Sequence, residues 1–253
     1  QALQDGASYT LSSNKNESTY HLLVEDLNIF IKELSMSWLQ SFDGKIVGIT
    51  GSNGKTTTKD LIAHLLQSKF KVEKTLGNYN TSISVPLSIF SFSLDSEIYV
   101  LELGANKVGD IQYLSSIVNP DYGVITSIAA AHLDGFGSIE NIEKEKKSIL
   151  YHSTKKYNFN ELKPNSLAIN FKEHKSNIFI KNLEIASHVA NDIFKDCNFH
   201  DLNGDLLINC LESFKMPPGR GEILSLNKVK IIDDSYNANP ESVRAALDHL
   251  SCF

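Results

Sequence analysis

The sequence predicts an α/β protein whose strands form a mostly parallel sheet with helices on both faces. Two observations carry this. From residue 45 onward short β-rich runs alternate with segments of helical period. The first of those strands also runs straight into a glycine-rich segment that opens a helix, the strand–loop–helix arrangement of parallel sheets that bind phosphates.

The elements follow in order. Residues 12–18 are polar and read as a loop. Asn28 to Phe42 places Ile29, Phe30, Leu34, Trp38 and Leu39 at helical spacing, and Asp43-Gly44 makes a turn. Lys45–Thr50 is a short strand. Thr57 to Phe70 is a helix with Leu61, Ile62, Leu65, Leu66 and Phe70 on one face. Glu97–Leu103 is a buried strand, Val108–Val118 a helix, Tyr122–Ile128 a strand, Ser138–Tyr151 a charged helix and Ser166–Asn170 a further strand. A new unit begins near Pro217-Pro218-Gly219-Arg220-Gly221. It holds two short strands, the second ending with Val229–Asp233, and a helix capped by Asn239 with Pro240 in its first turn.

The 253 residues are 42% hydrophobic and 21% charged, ordinary for a globular protein. A net charge of -6 argues against coating nucleic acid. No apolar run approaches the roughly 18 residues that span a bilayer. Cys197, Cys210 and Cys252 lack metal-ligand spacing and read as reduced thiols, so a cytoplasmic protein is expected. The chain opens on Gln1 and stops at Phe253 within a helical pattern, so it is expected to be part of a longer protein.

Thr50-Gly51-Ser52-Asn53-Gly54-Lys55-Thr56-Thr57 carries the chemistry. Glycines let backbone N–H groups converge on a phosphate chain, Lys55 can reach its outer phosphates and the Thr56 hydroxyl can hold Mg2+. The general motif has a further glycine where Ile49 stands, so this is the shorter Gly-x-x-Gly-Lys-Thr form, and it implies ATP binding. Glu102 ends its strand at the sheet edge where α/β ligands bind, placed either for Mg2+ or as a solvated carboxylate. His132 lies in Ala131-His132-Leu133-Asp134-Gly135-Phe136-Gly137, as a metal ligand or a structural histidine. The lysine-rich helix at 140–147 reads, on composition, as a solvated face with Glu140–Lys144 and Glu143–Lys147 pairs. Acidic groups at the end of the last strand, at 233–234, are placed to reach ribose hydroxyls.

Taken together, the loop at 50–58, Gly77-Asn78-Tyr79-Asn80, Leu101-Glu102-Leu103-Gly104-Ala105-Asn106, the 131–137 segment, Pro218-Gly219-Arg220-Gly221-Glu222 and Asp233–Pro240 resemble the Mur ligases. The likeness is strongest to the branch that adds D-alanyl-D-alanine to UDP-N-acetylmuramoyl-tripeptide. It implies a central ATP-binding domain at 44–216, preceded by the tail of a UDP-sugar-binding domain at 1–43 and followed by the start of a Rossmann-like domain at 217–253. It implies ATP, two Mg2+ ions, an acyl-phosphate route and action as a monomer without nucleic-acid or membrane partners. On the same resemblance Gly51, Ser52, Asn53, Gly54, Lys55, Thr56 and Thr57 bind the nucleotide phosphates, Asn182 the adenine side, and Arg220 and Asp234 the nucleotide from the far wall. Thr56 and Glu102 hold the first metal, His132 and a carbamylated lysine the second. Spacing from Gly137 matches Lys146, with Lys144 and Lys147 as neighbours. Asn78, Asn80 and Thr81 face the peptide. A related amide ligase or folylpolyglutamate-type enzyme, or a nucleotide-binding module without catalysis, are the other expectations.

Overall fold

The computed structural model describes residues 3–14, 20–162, 176–199, 204–227 and 229–251. The strand expected at 166–170 lies outside the described residues, as does Cys252. The centre is a five-stranded, fully parallel sheet of β3 (Lys45–Thr50), β4 (Val72–Lys74), β5 (Ile98–Glu102), β6 (Tyr122–Ile125) and β7 (Lys155–Asn158), in the order β4-β5-β3-β6-β7. β3 lies in the middle, with Ile49 opposite Glu102 on one side and Val124 on the other. Both edges of the sheet, β4 and β7, come from segments whose charges and short length hide a strand pattern, and sequence reading missed them.

Helices cover both faces, as parallel strands require. On one face α2 (Lys55–Leu66) and α7 (Asn177–Asp196) lie against each other, with Leu61, Ile62, Leu65 and Leu66 meeting Leu183, Ala186, Val189 and Ala190. Each buried leucine, isoleucine or valine among them contributes about 1.5–3 kcal/mol. On the other face α3 (Ser84–Ser91), α4 (Asp110–Val118) and α6 (Ile139–Lys147) bury Val85, Ile89, Ile111, Leu114 and Ile142. α5 (Leu133–Phe136) is a single turn, and α8 (Gly204–Ser213) follows α7. The helix expected over 138–151 is α6 followed by a 3-10 turn at Ser148–Tyr151.

Two smaller pieces flank the sheet. β1 (Thr10–Ser12) and β2 (His21–Leu23) pair in parallel, followed by α1 (Leu27–Leu39), which sets Trp38 edge-on to Phe90 of α3. At the other end β8 (Glu222–Leu226) and β9 (Val229–Asp233) form an antiparallel hairpin that leads to α9 (Pro240–Leu250). Asp26 caps α1 by accepting from Asn28 N and Ile29 N. α9 is capped by Asn239 with Pro240 in the first turn, as its sequence predicts, and Ser242 completes a capping box.

Candidate functional site

The phosphate loop follows β3 and is held by the end of β6. Asn53 N donates to Ser127 Oγ at 2.8 Å, Thr126 Oγ1 donates to Asn53 O at 2.6 Å, and Ser52 Oγ donates to Ala129 O at 2.9 Å. These hydroxyls follow a hydrophobic strand, the one sequence signal that could have found them. Two glycines are needed for shape. Gly51, with φ +152, has no room for a Cβ, which would stand 2.1 Å from Thr126 Oγ1. At Gly54, with φ +82, a Cβ would stand 2.4 Å from Asn182 Oδ1. Asn182, on α7, is thereby set directly against the loop.

Lys55 folds back over the loop, donating to Gly51 O at 2.9 Å. Burial lowers its pKa, opposed by Glu102. Thr56 Oγ1 donates to Glu102 Oε2 at 2.8 Å, so the hydroxyl and the carboxylate expected to share a metal are in contact. Thr57, buried behind them, also borders the cavity. The other carboxylate oxygen, Oε1, accepts from Asn80 Nδ2 at 2.8 Å. Asn80 thus braces Glu102, while Asn78 and Thr81 stay exposed on the loop beside it. Glu102 is 1% exposed, and so is Lys59, a residue sequence reading passed over, whose Nζ lies 3.9 Å from Glu102 Oε2. Burial lowers the Lys59 pKa, while Asp60 and Glu102 raise it.

A cavity of about 390 Å³ opens on the loop. Ser52, Lys55, Thr57 and Asn182 line one side of it, Arg220, Asp234, Asn239 and His249 the other. Arg220 lies 3.9 Å over the Tyr236 ring, and burial raises the Asp234 pKa against the pull of Arg220. The loop meets the far wall through Asn53, whose Oδ1 accepts from Asn239 Nδ2 at 2.6 Å and whose Nδ2 donates to Glu241 Oε2 at 2.9 Å. Asn239 is therefore more than a helix cap. A second cavity, about 290 Å³, shares Lys55, Asn80, Thr81, Asn106 and His132 with the first and adds Ser82, Lys107 and Asp110. His132 is exposed, with φ 54, an uncommon backbone for a residue other than glycine, and it borders both cavities.

The lysine-rich helix is not the solvated face its composition suggests. Glu143 and Lys147 do pair at 2.7 Å, but no Glu140–Lys144 pair forms among the described residues. Glu145 and Lys146 are turned inward. Glu145 accepts from Gly109 N at 2.8 Å and Ile111 N at 2.6 Å, closing the start of α4. Lys146 is 3% exposed, and burial, with the Lys55 charge adding to it, brings its pKa down to about 7. Lys144 is exposed and Lys147 is engaged with Glu143, so Lys146 is the buried lysine of the three, its ammonium 5.7 Å from the centre of the Phe136 ring.

Residues 49–204 match the family described as the Mur ligase middle domain. The chain belongs to the Mur ligase family. A UDP-N-acetylmuramoyl-tripeptide–D-alanyl-D-alanine ligase of Bacillus subtilis is 40% identical over 137 residues, 54% of this chain and 30% of that protein. The ligase of the same description from Borreliella burgdorferi is 30% identical over 268 residues, 92% of this chain and 58% of that protein. The crystal structure of the MurF ligase from Thermotoga maritima in complex with ADP superposes with a TM-score of 0.85 at 28% identity, over all of this chain and 67% of that one. The chain thus spans between 30% and 58% of these two curated relatives.

Proposed function

We propose that this Mur ligase chain carries the ATP-binding core of an ADP-forming ligase that joins D-alanyl-D-alanine to UDP-N-acetylmuramoyl-tripeptide. Relatives of that description match it along most of its length. The observation that carries the reading is the placement of Lys55, which borders both cavities. A nucleotide in the larger and a peptide carboxylate in the smaller would meet at its ammonium. The expected domain limits at 43–44 and 216–217, cytoplasmic location and monomeric state belong to the same proposal.

In the reaction proposed, a carboxylate oxygen of the tripeptide attacks the γ-phosphorus of ATP. ADP leaves and an acyl phosphate forms. The D-alanyl-D-alanine amine then adds to the acyl carbon, loses a proton and expels phosphate. Two anions must approach each other, so the site needs fixed positive charge. Backbone N–H groups of Gly51 to Thr57 cradle the phosphates, and Lys55 swings from Gly51 O to their outer oxygens. Asn182 faces the adenine side, and Arg220 with Asp234 closes the far wall. Asn78 and Thr81 face the peptide.

The donors fit Mg2+: a buried carboxylate and a hydroxyl 2.8 Å apart are hard oxygen ligands. No cluster of three acidic, histidine or cysteine side chains occurs among the described residues. That also fits, since Mg2+ in phosphate sites takes one or two carboxylates and completes its shell with water and substrate. When bound, the metal screens the two anions and the charge that develops in transfer. Thr56 and Glu102 would hold the first ion, His132 and Lys146 the second. Lys146 suits carbamylation: its lowered pKa leaves free amine near neutral pH to add to CO2, forming an N–C bond and releasing a proton. The product is a carboxylate-like ligand, and it removes the repulsion with Lys55.

The test is phosphate release from ATP and Mg2+ with UDP-N-acetylmuramoyl-tripeptide and a series of amines. Release that needs both the tripeptide and D-alanyl-D-alanine is expected. Dependence on another acceptor points to a related ligase, and ATP binding with no release in any mixture to a nucleotide-binding module.

A further inference from the structure

Lys59 sits on α2 three residues past Thr56 and four past Lys55, one turn further from the loop on the same side of the helix. A lysine at such a depth is rare, and this one is 1% exposed. Its ammonium donates to Gly77 O at 3.2 Å and lies 3.6 Å from Asp60 Oδ1 and 3.9 Å from Glu102 Oε2. Asp60 is in turn bound by Lys74 at 2.7 Å. Within this network two carboxylates face two lysines, so the pocket behind Thr56 has no net negative charge before any ligand enters.

We propose that Lys59 is a positioning residue that acts as a built-in counter-ion to Glu102, withholding the site from a free divalent cation until a nucleotide brings its own negative charge. The inference rests on the reading of Glu102 as a magnesium ligand. A cation bound to Glu102 would lie close to a second cation that cannot withdraw, because Lys59 is enclosed and anchored on Gly77 O. Charges at such range in a buried pocket interact strongly, since little water screens them. The phosphates of a nucleotide offset that repulsion. Glu102 meanwhile stays oriented by Thr56, Asn80 and Lys59 from three directions.

The experiment measures Mn2+ binding by electron paramagnetic resonance with the full chain free of nucleotide. Lys59→Met and Lys59→Gln remove the charge and keep much of the side-chain length, and Lys59→Arg keeps the charge. Circular dichroism on heating checks that each is folded. Both neutral variants are expected to bind Mn2+ at least about tenfold tighter than the wild type, a change of about 1.4 kcal/mol. Lys59→Arg should behave as the wild type, and adding Glu102→Gln to Lys59→Met should erase the gain. A residue that only packs or only anchors the loop predicts no gain, so unchanged or weaker binding in the neutral variants overturns the proposal. So does a gain that survives Glu102→Gln. Should neither neutral variant fold, the wild type decides, because Mn2+ binding as tight without nucleotide as with a non-hydrolysable ATP analogue contradicts it. The underlying reading fails separately, if Glu102→Gln in the otherwise native chain leaves Mn2+ binding in the presence of that analogue unchanged.

Discussion

The two walls of the nucleotide cleft are built by different means. The wall on the parallel sheet is continuous with the core: β3, β5 and β6 are almost wholly buried, and the loop above them is tied down by Ser127, Thr126 and Ala129. The opposite wall is a two-stranded hairpin and α9, with Leu226, Val229 and Leu247 exposed. It reaches the loop through the Asn53 side chain, which accepts from Asn239 and donates to Glu241. An isolated hairpin has little stability of its own. On the function proposed above, the groups that would handle phosphate and metal lie on the well-packed side, and the other side is left freer to adjust around a nucleotide.

If that division is right, damage to the first wall costs far more than damage to the second. Lys55→Ala should weaken MgATP binding at least about a hundredfold, since it deletes charge-assisted hydrogen bonds to phosphate. Calorimetry against the native chain measures this, and an unchanged affinity would break the comparison at its strongest point.

Lys146 gives the next largest effect, seen in stability. Its pKa in the folded protein, about 7, lies below the ordinary value of 10.5, so the unfolded chain binds more protons between those limits. Stability should therefore rise with pH from about 7 toward 10.5, with the full penalty present below 7. At about 1.4 kcal/mol per unit the total is on the order of a few kcal/mol. Urea unfolding in CO2-free buffer across that range should show the rise in the native chain and a flatter profile in Lys146→Met.

Gly54→Ala sharpens the same side. The added methyl would collide with Asn182 in a backbone that disfavours side chains, and a loss of roughly tenfold in ATP affinity follows from about 1–2 kcal/mol of strain. The smallest effect belongs to the far wall. Asn239→Ala removes both the α9 cap and the bond to Asn53, costing about 1 kcal/mol, or about fivefold in affinity. A loss as large as that of Lys55→Ala would mean that the two walls act as one rigid unit.

The division also explains what the sequence disclosed. The central strands β3, β5 and β6 were legible because they are buried on both faces and read as continuous apolar runs. β4 and β7 were not: Val72–Lys74 and Lys155–Asn158 are short edge strands rich in charge. The phosphate loop and Glu102 declared themselves by position at strand ends. The inward turn of Lys146 did not, because a buried lysine looks like any other within Glu-Lys-Glu-Lys-Lys. Lys59 was hidden for the same reason, and its meaning depends on Gly77 and Glu102, which lie 18 and 43 residues away in sequence. Asn53's contacts with Asn239 and Glu241 join segments nearly 190 residues apart, beyond the reach of local pattern.

The central claim is that the sheet-side wall forms a metal-assisted nucleotide site. Titrating ATP into the native chain by calorimetry, once with Mg2+ and once with a chelator, tests it most directly. The account predicts saturable binding at one site, at least about tenfold tighter with Mg2+, equivalent to about 1.4 kcal/mol. No saturable binding, or the same affinity with and without the metal, would contradict it.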